Sequence, residues 1–381
     1  MTKARLADVA RLAGVSKGTA SKALNQREDV AAQTRARVAE AAQELGYTTA
    51  PRVGPGTMSP RAAPAAPTIW VTFDSLANHY AGTILDALVS EAAALGALAV
   101  VSTWRGTHWS DRDSSEASPI APSASPTTRS LPRQSRWPTG EPPSDAWLTR
   151  AHSLGVQAFI LITTPVGPVE VETCRRLDTP LVIIDPATPT PTGAMSIGAS
   201  NWRGGVQATD YLLQLGHRRI AMVGAPPGST PGSERVAGYR SALARAGITI
   251  APELIVPGTF GEQDATSAVP ILTGPDRATA VFAASDAVAL GVIDVARRLG
   301  LDVPRDLSIV GFDDSYAAPT ASPPLTTVRQ PLAQMGAMAL RIAVDRIRDP
   351  RAVIPPVELA TDLIVRSSTA PPPLLEGAST P

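Results

Sequence analysis

The sequence predicts a multi-domain fold: a small all-α helix-turn-helix head followed by a two-lobed α/β core built on parallel sheets. Three observations carry this. At 381 residues the chain exceeds one ordinary compact domain. The first 48 residues carry apolar side chains at helical spacing and no run of strand character. Beyond residue 67, strand-like apolar runs alternate with amphipathic helices, and the whole pattern occurs twice.

In the head, Leu6, Val9, Ala10 and Ala13 share one helical face that stops at Gly14, a residue suited to a helix C-terminus. Ser16 stands as N-cap of a second helix. That helix turns Ala20, Ala23 and Leu24 inward and Lys17, Thr19, Ser21 and Lys22 outward. A third helix over 32–45 is expected to bury Val38, Ala42 and Leu45 and to stop at Gly46. Residues 1–50 hold eight lysines and arginines against five acids, a net +3 on a chain of formal net charge zero. The head is the basic part, as a nucleic-acid partner requires.

Residues 49–67 shift to Pro, Gly and Ala, a composition that cannot sustain a regular helix, and form the linker. In the first α/β set, 69–73, 98–102, 158–163 and 181–184 read as strands and 84–95 as a helix. In the second, 220–223, 280–283 and 307–310 read as strands and 234–246 and 287–299 as helices. The stretch 105–144 is rich in Ser, Pro, Thr and Arg with few aliphatic residues. It is expected to be a disordered surface insertion, because burial cannot offset its ordering entropy.

A helix-turn-helix lays its second helix in the major groove and packs small residues of that helix on the first. Residues 8–25 have this arrangement, with small Ala10 and Ala20 allowing close approach. Lys17 and Lys22 are the base-contact candidates, as flexible donors to guanine acceptors, and Gly18 between them lets the backbone approach. Ser16, Thr19, Ser21, Asn25 and Thr34 are candidate phosphate donors, which set register without reading sequence. An ordinary helical hairpin is the alternative for this segment taken alone.

Several classes are disfavoured. The chain lacks a phosphate-binding P-loop and a nucleophile-elbow motif, and His79, His108, His152 and His217 are scattered without metal-ligand spacing. No enzyme activity, cofactor or metal is expected. A single cysteine, Cys174, fits a reducing compartment and reads as a core residue. No apolar run of about 18 residues could span a bilayer, and the N-terminal segment is not a secretory signal. A cytoplasmic protein without membrane association is expected.

In the head, Val9-Ala10, Ala13-Gly14-Val15-Ser16, Thr19, Ser21, Asn25, Val30, Thr34-Arg35, Val38 and Leu45-Gly46-Tyr47 form a pattern. This pattern resembles the signature of the lactose-repressor (LacI/GalR) family of transcriptional regulators. Further stretches at 215–221, 234–239, 285–291, 310–314 and 323–330 resemble family motifs in family order. The resemblance implies a periplasmic-binding-protein-like sensor that closes on a small, sugar-like effector. It also implies a homodimer whose paired heads bind a pseudo-palindromic double-stranded DNA operator, as a repressor. The alternative is a small-molecule-binding protein of the same lobed type without specific DNA control.

With this resemblance the expected domains are a head at 1–48 and a linker at 49–67. A first lobe takes 68–188 and 330–358, a second takes 189–329 and 359–367, and a disordered tail takes 368–381. Arg235 matches the family's ligand-binding arginine and Asp313 its ligand-binding acid; a fork and a carboxylate bracket vicinal hydroxyls. Ser285 falls at a polar contact and Phe260 near an aromatic that stacks on a sugar face, with Asp185, Asp74 and Asn78 as first-lobe candidates. A helix cap at Asp313-Asp314 and a lobe-internal salt bridge at Arg235 are the structural alternatives. Tyr239 and Gly238 are expected to serve packing.

Three departures from the family stand out. Gly54-Pro55-Gly56 occupies the hinge-helix stretch, with Gly56 in place of a leucine that wedges into the minor groove, so a folded hinge helix is not expected. Ala31 stands where a capping serine is expected before the third helix. The third departure is the insertion itself.

Overall fold

The computed structural model describes residues 6–24, 30–45, 66–104 and 143–373. Asn25, Gly46, Tyr47, the 54–56 stretch, residues 49–65 of the linker, 105–142 of the insertion and 374–381 of the tail lie outside the described residues. The chain divides into two compact units, Met1–Ala65 and Ala66–Pro381.

The first unit holds helices α1 (Leu6–Leu12), α2 (Lys17–Leu24) and α3 (Ala32–Glu44). Gly14, at φ +65°, turns the chain after α1, and the Val15 amide reaches back to the Ala10 carbonyl at 3.0 Å. Val9, Ala10, Ala13, Ala20, Ala23, Val30, Val38, Ala41 and Ala42 form the core. The expectation for Leu45 is corrected: it is 36% exposed, because α3 ends at Glu44 and Ala41 and Ala42 complete the packing of its last turn. The start of α3 relies on backbone, the Ala31 carbonyl accepting from the Thr34 and Arg35 amides at 3.0 Å each.

In the second unit the first lobe runs β1 (Thr68–Phe73), α4 (His79–Leu95), β2 (Leu98–Thr103), α5 (Asp145–Ser153), β3 (Ala158–Ile162), α6 (Pro168–Arg176), β4 (Leu181–Ile184) and β5 (Met195–Ala199). The second lobe runs α7 (Asn201–Gln214), β6 (Ile220–Ala225), α8 (Thr230–Arg245), β7 (Ile255–Pro257), α9 (Val269–Leu272), β8 (Ala280–Ala283), α10 (Asp286–Arg298), β9 (Ser308–Asp313) and β10 (Thr326–Arg329). The chain returns to the first lobe for α11 (Leu332–Arg348) and β11 (Val357–Leu359), then crosses again to β12 (Asp362–Ile364).

The two sheets have orders β11-β5-β4-β3-β1-β2 and β12-β10-β9-β8-β6-β7. Every pairing is parallel except β10 with β12. Buried on both faces, the strands are continuous apolar runs, as in β3 (Ala158–Ile162), where every residue is buried. In the first lobe α4 and α11 cover one face through Ile84, Leu88, Met335 and Leu340, and α5 and α6 cover the other through Trp147, Leu148 and Cys174. Trp70 meets Trp147 edge-on at 5.0 Å.

The lobe limits differ from those expected. β5 pairs with β4, so the first lobe continues past 188 to Ala199, and β11 lies wholly in the first sheet, so the last crossover falls at 360–361. The Met-Ser-Ile-Gly-Ala sequence of β5 lacks the aliphatic run that marks the other strands. Residues 368–373 are not a loose tail. The Ser368 hydroxyl accepts from the Thr326 amide at 2.8 Å, and its carbonyl accepts from the Ile309 amide at 2.8 Å. These bonds extend the order of the second sheet past its last strand. At the other end of the insertion, Ser144 caps α5 by accepting from the Trp147 amide at 3.3 Å.

Candidate functional site

In parallel α/β sheets, ligands bind beyond the C-terminal ends of the strands. Asp185 follows β4, Ser285 closely follows β8 and Asp313 ends β9, so both lobes contribute carboxylates from this edge. Between them lies Arg235 on α8. Its placement depends on the crossing of α7 and α8, where a methyl group at Gly205 would overlap the Arg235 carbonyl and one at Gly238 would overlap the Trp202 carbonyl. Tyr239 completes this packing, fully buried with its hydroxyl donating to the Ile220 carbonyl at 2.8 Å.

Arg235 is itself buried. Its Nε donates to Asn201 Oδ1 at 2.9 Å, its Nη1 donates to the Ala284 carbonyl, and Nη1 stands 3.8 Å from Asp313 Oδ1. The guanidinium lies 3.7 Å from the ring centre of Phe312 and 5.1 Å from that of Phe260. Asp313 accepts from Gln330 Nε2 at 2.7 Å. Asp185 accepts from the Tyr80 hydroxyl at 2.6 Å. The loop conformations are costly: Asp185, Phe260, Asp313 and Asp314 have φ of 44°, 64°, 119° and 53°. Such left-handed backbone costs about 1–3 kcal/mol per residue and concentrates at functional sites.

Burial dominates the electrostatics. Burial raises the Asp313 carboxyl to about 8, more than Arg235 lowers it, because the guanidinium sits at the outer limit of an ion pair and Asp286 adds a like charge. Asp286 is raised to about 6, again by burial, against hydrogen bonds from Thr327 and Ser315. Asp185 also rises through burial, offset by the Tyr80 hydroxyl, Arg235 and the Ala199 amide. Burial raises the Tyr80 hydroxyl and lowers the Arg235 guanidinium. One buried cation thus serves three buried carboxylates, an arrangement suited to gripping a polar ligand by hydrogen bonds.

The remaining expected residues have other employment. The Ser285 hydroxyl caps α10, accepting from the Val288 amide at 3.1 Å and donating to the Phe260 carbonyl at 2.9 Å, so its proton is committed. Asn78 caps α4 through its Oδ1, which accepts from the Ala81 amide at 2.7 Å. Asp74 Oδ1 accepts from the Ser75 amide at 2.7 Å and the Thr163 hydroxyl at 2.8 Å. Sequence reasoning missed Tyr80, Asn201, Asp286 and Gln330, although Asn201 and Asp286 stand visibly at helix starts.

Asn201 and Gln330 each flank a crossover between the lobes, so both charged ligand candidates are bonded to hinge residues. A third crossover is tied to the first, as the Thr361 amide donates to the Ser200 hydroxyl at 3.2 Å. The lobes also meet where the Thr230 amide donates to the Ala187 carbonyl at 3.1 Å and His79 packs edge-on to Tyr316 at 4.3 Å. A separate concavity of about 730 Å³, lined by Pro168, Cys174, Pro191, Met195 and Arg346, shares none of the cleft residues. Burial pushes the Cys174 thiol there up to about 12 and keeps it unreactive.

In the head, the Ser16 oxygen accepts from the Thr19 amide at 3.0 Å and shares a 2.8 Å hydrogen bond with the Thr19 hydroxyl. Both are therefore engaged in capping α2. Lys17, Gly18 and Lys22 are exposed, while Thr19, Ser21 and Thr34 are half-buried. Among the described residues no cluster of His, Cys, Asp or Glu is placed to hold a metal ion, and no helix is long and apolar enough to cross a membrane.

Head and core together define a class: a helix-turn-helix unit joined to a two-lobed ligand-binding core. Residues 5–50 match the model for bacterial regulatory proteins of the lacI family, and 209–369 match a periplasmic binding protein-like domain. The HTH-type transcriptional repressor PurR of Vibrio vulnificus is 29% identical over 366 residues, covering 96% of this chain and 98% of that protein. Among solved structures, a complex of the transcriptional regulator CelR with cellobiose is 27% identical over 96% of this chain and 99% of its own, with a TM-score of 0.63. The Lac repressor dimer bound to operator and the anti-inducer ONPF is 26% identical over 97% and 100%, with a TM-score of 0.62. The chain belongs to the lacI family of bacterial regulatory proteins and is a DNA-binding transcriptional regulator, not an enzyme.

Proposed function

We propose that the protein is a cytoplasmic repressor that binds a pseudo-palindromic operator as a homodimer and is controlled by a small, sugar-like effector held between its lobes. The observation that carries this is the buried Arg235–Asp313 pair at the strand ends, bonded to hinge residues on both sides. Effector contacts come from Arg235 and Asp313, with Asp185 from the first lobe and the Phe260 face. A ligand that favours one lobe angle shifts the separation of paired heads, and the coupling is reciprocal by linkage. The complexes of relatives with cellobiose and with operator support both halves of this reading.

On DNA, α2 enters the major groove with Lys17 and Lys22 toward base edges and Gly18 allowing close approach. Ser21, Asn25 and Thr34 face phosphates, joined by Ser16 and Thr19 at the capped N-terminus. Dimerisation is supported by the edge strand β2, whose Leu98 and Val101 are 58% and 36% exposed, beside Val89 of α4 at 51%. An apolar sheet edge of this kind calls for a cover.

The test is a mobility-shift titration with the DNA upstream of the chain's own gene, with and without cellobiose or D-ribose. A salt-sensitive, sequence-specific shift that either sugar alters is expected. Failure to shift that DNA in any sugar or salt condition would sink the repressor reading.

A further inference from the structure

The concavity of about 730 Å³ in the first lobe has the size of a small-molecule pocket, about 300–1,000 Å³. It lies where β4 begins at Leu181 and β5 begins at Met195. It therefore stands at the opposite end of this sheet from the cleft, whose residues follow the strands. The last turns of α6 and α11 flank it. Cys174, Thr179 and Ala194 are the buried part of its lining, and the Thr179 hydroxyl is already engaged with His152 Nδ1 at 2.8 Å.

Two guanidinium groups line this space, in different states. Arg175 donates from Nε and Nη2 to the two oxygens of Glu172 at 2.7 and 2.6 Å. Arg341, earlier on α11, spends the same edge on Glu91 at 2.7 and 2.9 Å. Arg346 uses Nη1 alone, which donates to the Asp349, Pro350 and Ala352 carbonyls. Its Nε is buried with no hydrogen-bond partner, and among the described residues no carboxylate pairs with it. A buried donor without an acceptor costs free energy and marks a place where an acceptor is missing. On Arg346 the edge that Arg175 and Arg341 give to a carboxylate is unspent, and its planar fork matches the two oxygens of that group.

We propose that this concavity is a second small-molecule site, separate from the effector cleft, which takes a monocarboxylate with an apolar body on the Nε–Nη2 edge of Arg346. One unmatched cation sets the charge of the ligand. Glu172 already neutralises Arg175, and Asp178 stands exposed on the rim. A dianion would bring its second charge beside these carboxylates and meet no second free cation. Pro168, Val171 and Met195 offer hydrocarbon to the body of the acid.

The test titrates the full chain by calorimetry with hexanoate and benzoate, each against its amide, and with adipate as the dianion. A monocarboxylate is expected to bind with Kd below about 1 mM, and its amide and adipate to bind more weakly by about tenfold or more. Arg346→Met should abolish this binding. Arg346→Lys keeps the charge but not the fork and should retain only part of it. Thr190→Trp fills the space from its rim while leaving Arg346 in place, so it should also abolish binding, and it decides the matter where an Arg346 variant fails to fold. Neither cellobiose nor D-ribose should displace the acid.

Absence of monocarboxylate binding up to about 10 mM overturns the proposal. So does an amide that binds as tightly as its acid, or an Arg346→Met chain that binds like wild type. Displacement of the acid by either sugar would place it in the cleft and overturn the proposal as well.

Discussion

Arg235 Nε donates to Asn201 Oδ1 at 2.9 Å, and this bond joins the cation of the cleft to the first residue beyond a lobe crossover. Gln330 makes the matching connection to Asp313 from another crossover. A ligand that moves either charged group therefore pulls directly on the hinge. Coupling between the cleft and the lobe angle needs no long chain of intermediates.

Replacing Arg235 with alanine leaves Asp185 and Asp313 without their buried cation. The Asn201 Oδ1 and the Ala284 carbonyl also lose their donor, and an unpaired buried group costs about 1–3 kcal/mol, readable as a lower denaturant midpoint. Effector binding should disappear while sequence-specific DNA binding by the head persists. Unchanged effector affinity would remove Arg235 from the site.

The Asp313 carboxyl, raised from an ordinary 3.8 to about 8, makes stability fall as pH rises. Between those values the folded state holds a proton that the unfolded state has released, so the acid form favours folding below 3.8 and this contribution is lost progressively up to about 8. Asp313→Asn cannot lose that proton. The melting temperature of wild type minus that of the variant should decline steadily from pH 5 to pH 8, and a flat difference would contradict the assignment.

His217 acts in the opposite sense. Its Nδ1 lies 2.9 Å from the Thr279 hydroxyl, and its Nε2 lies 2.9 Å from the Ala370 carbonyl and 3.0 Å from the Ser308 hydroxyl. Burial holds its pKa below the ordinary 6.5, so its neutral form favours folding above 6.5 and this contribution is lost as pH falls through that value toward the folded pKa. His217→Ala should cost about 1–3 kcal/mol through the unpaired groups left behind. Limited proteolysis of the C-terminal segment should be faster in the variant, and faster in wild type at pH 5 than at pH 7.

Gly238→Ala drives a methyl group into the Trp202 carbonyl at the α7–α8 crossing. The expected loss is about 1–3 kcal/mol by chemical denaturation, with weaker effector binding because α8 carries Arg235. Full effector affinity in this variant would show that the crossing does not position the guanidinium.

Ser16→Ala removes the cap of α2, at a cost of about 1 kcal/mol to the head. Circular dichroism should show the head melting earlier while the core transition stays in place. Specific DNA affinity should fall with it, since α2 carries Lys17 and Lys22.

Much of this protein is legible in its sequence because the signals are local. The 3.6-residue spacing of Val9, Ala10 and Ala13, the glycine after them and the serine cap at Ser16 specify the head from within about one turn of each residue. The buried strands announce themselves as aliphatic runs, whereas β5, with serine and glycine in its five residues, does not. The aliphatic pattern therefore ends the first lobe too early in the sequence. Periodicity alone puts Leu45 in the core, but periodicity does not say where a helix ends.

The chemistry of the cleft is only partly local. Arg235 and Asp313 are visible through their motifs, but the partners that give them their charge state and orientation, Asn201, Asp286 and Gln330, lie on other elements and meet them only when three crossovers bring the lobes together. Ser285 and Asn78 are residue types that cap helices, but only the structure shows that their polar atoms are spent on caps. The sequence by itself determined the class of fold, the DNA-reading head and the two charged residues of the cleft, because periodicity, caps and motifs are properties of neighbouring residues. Tertiary structure decided which polar groups remain unpaired and which carboxylates share one cation, because burial and hydrogen-bond pairing depend on what distant segments place around each group.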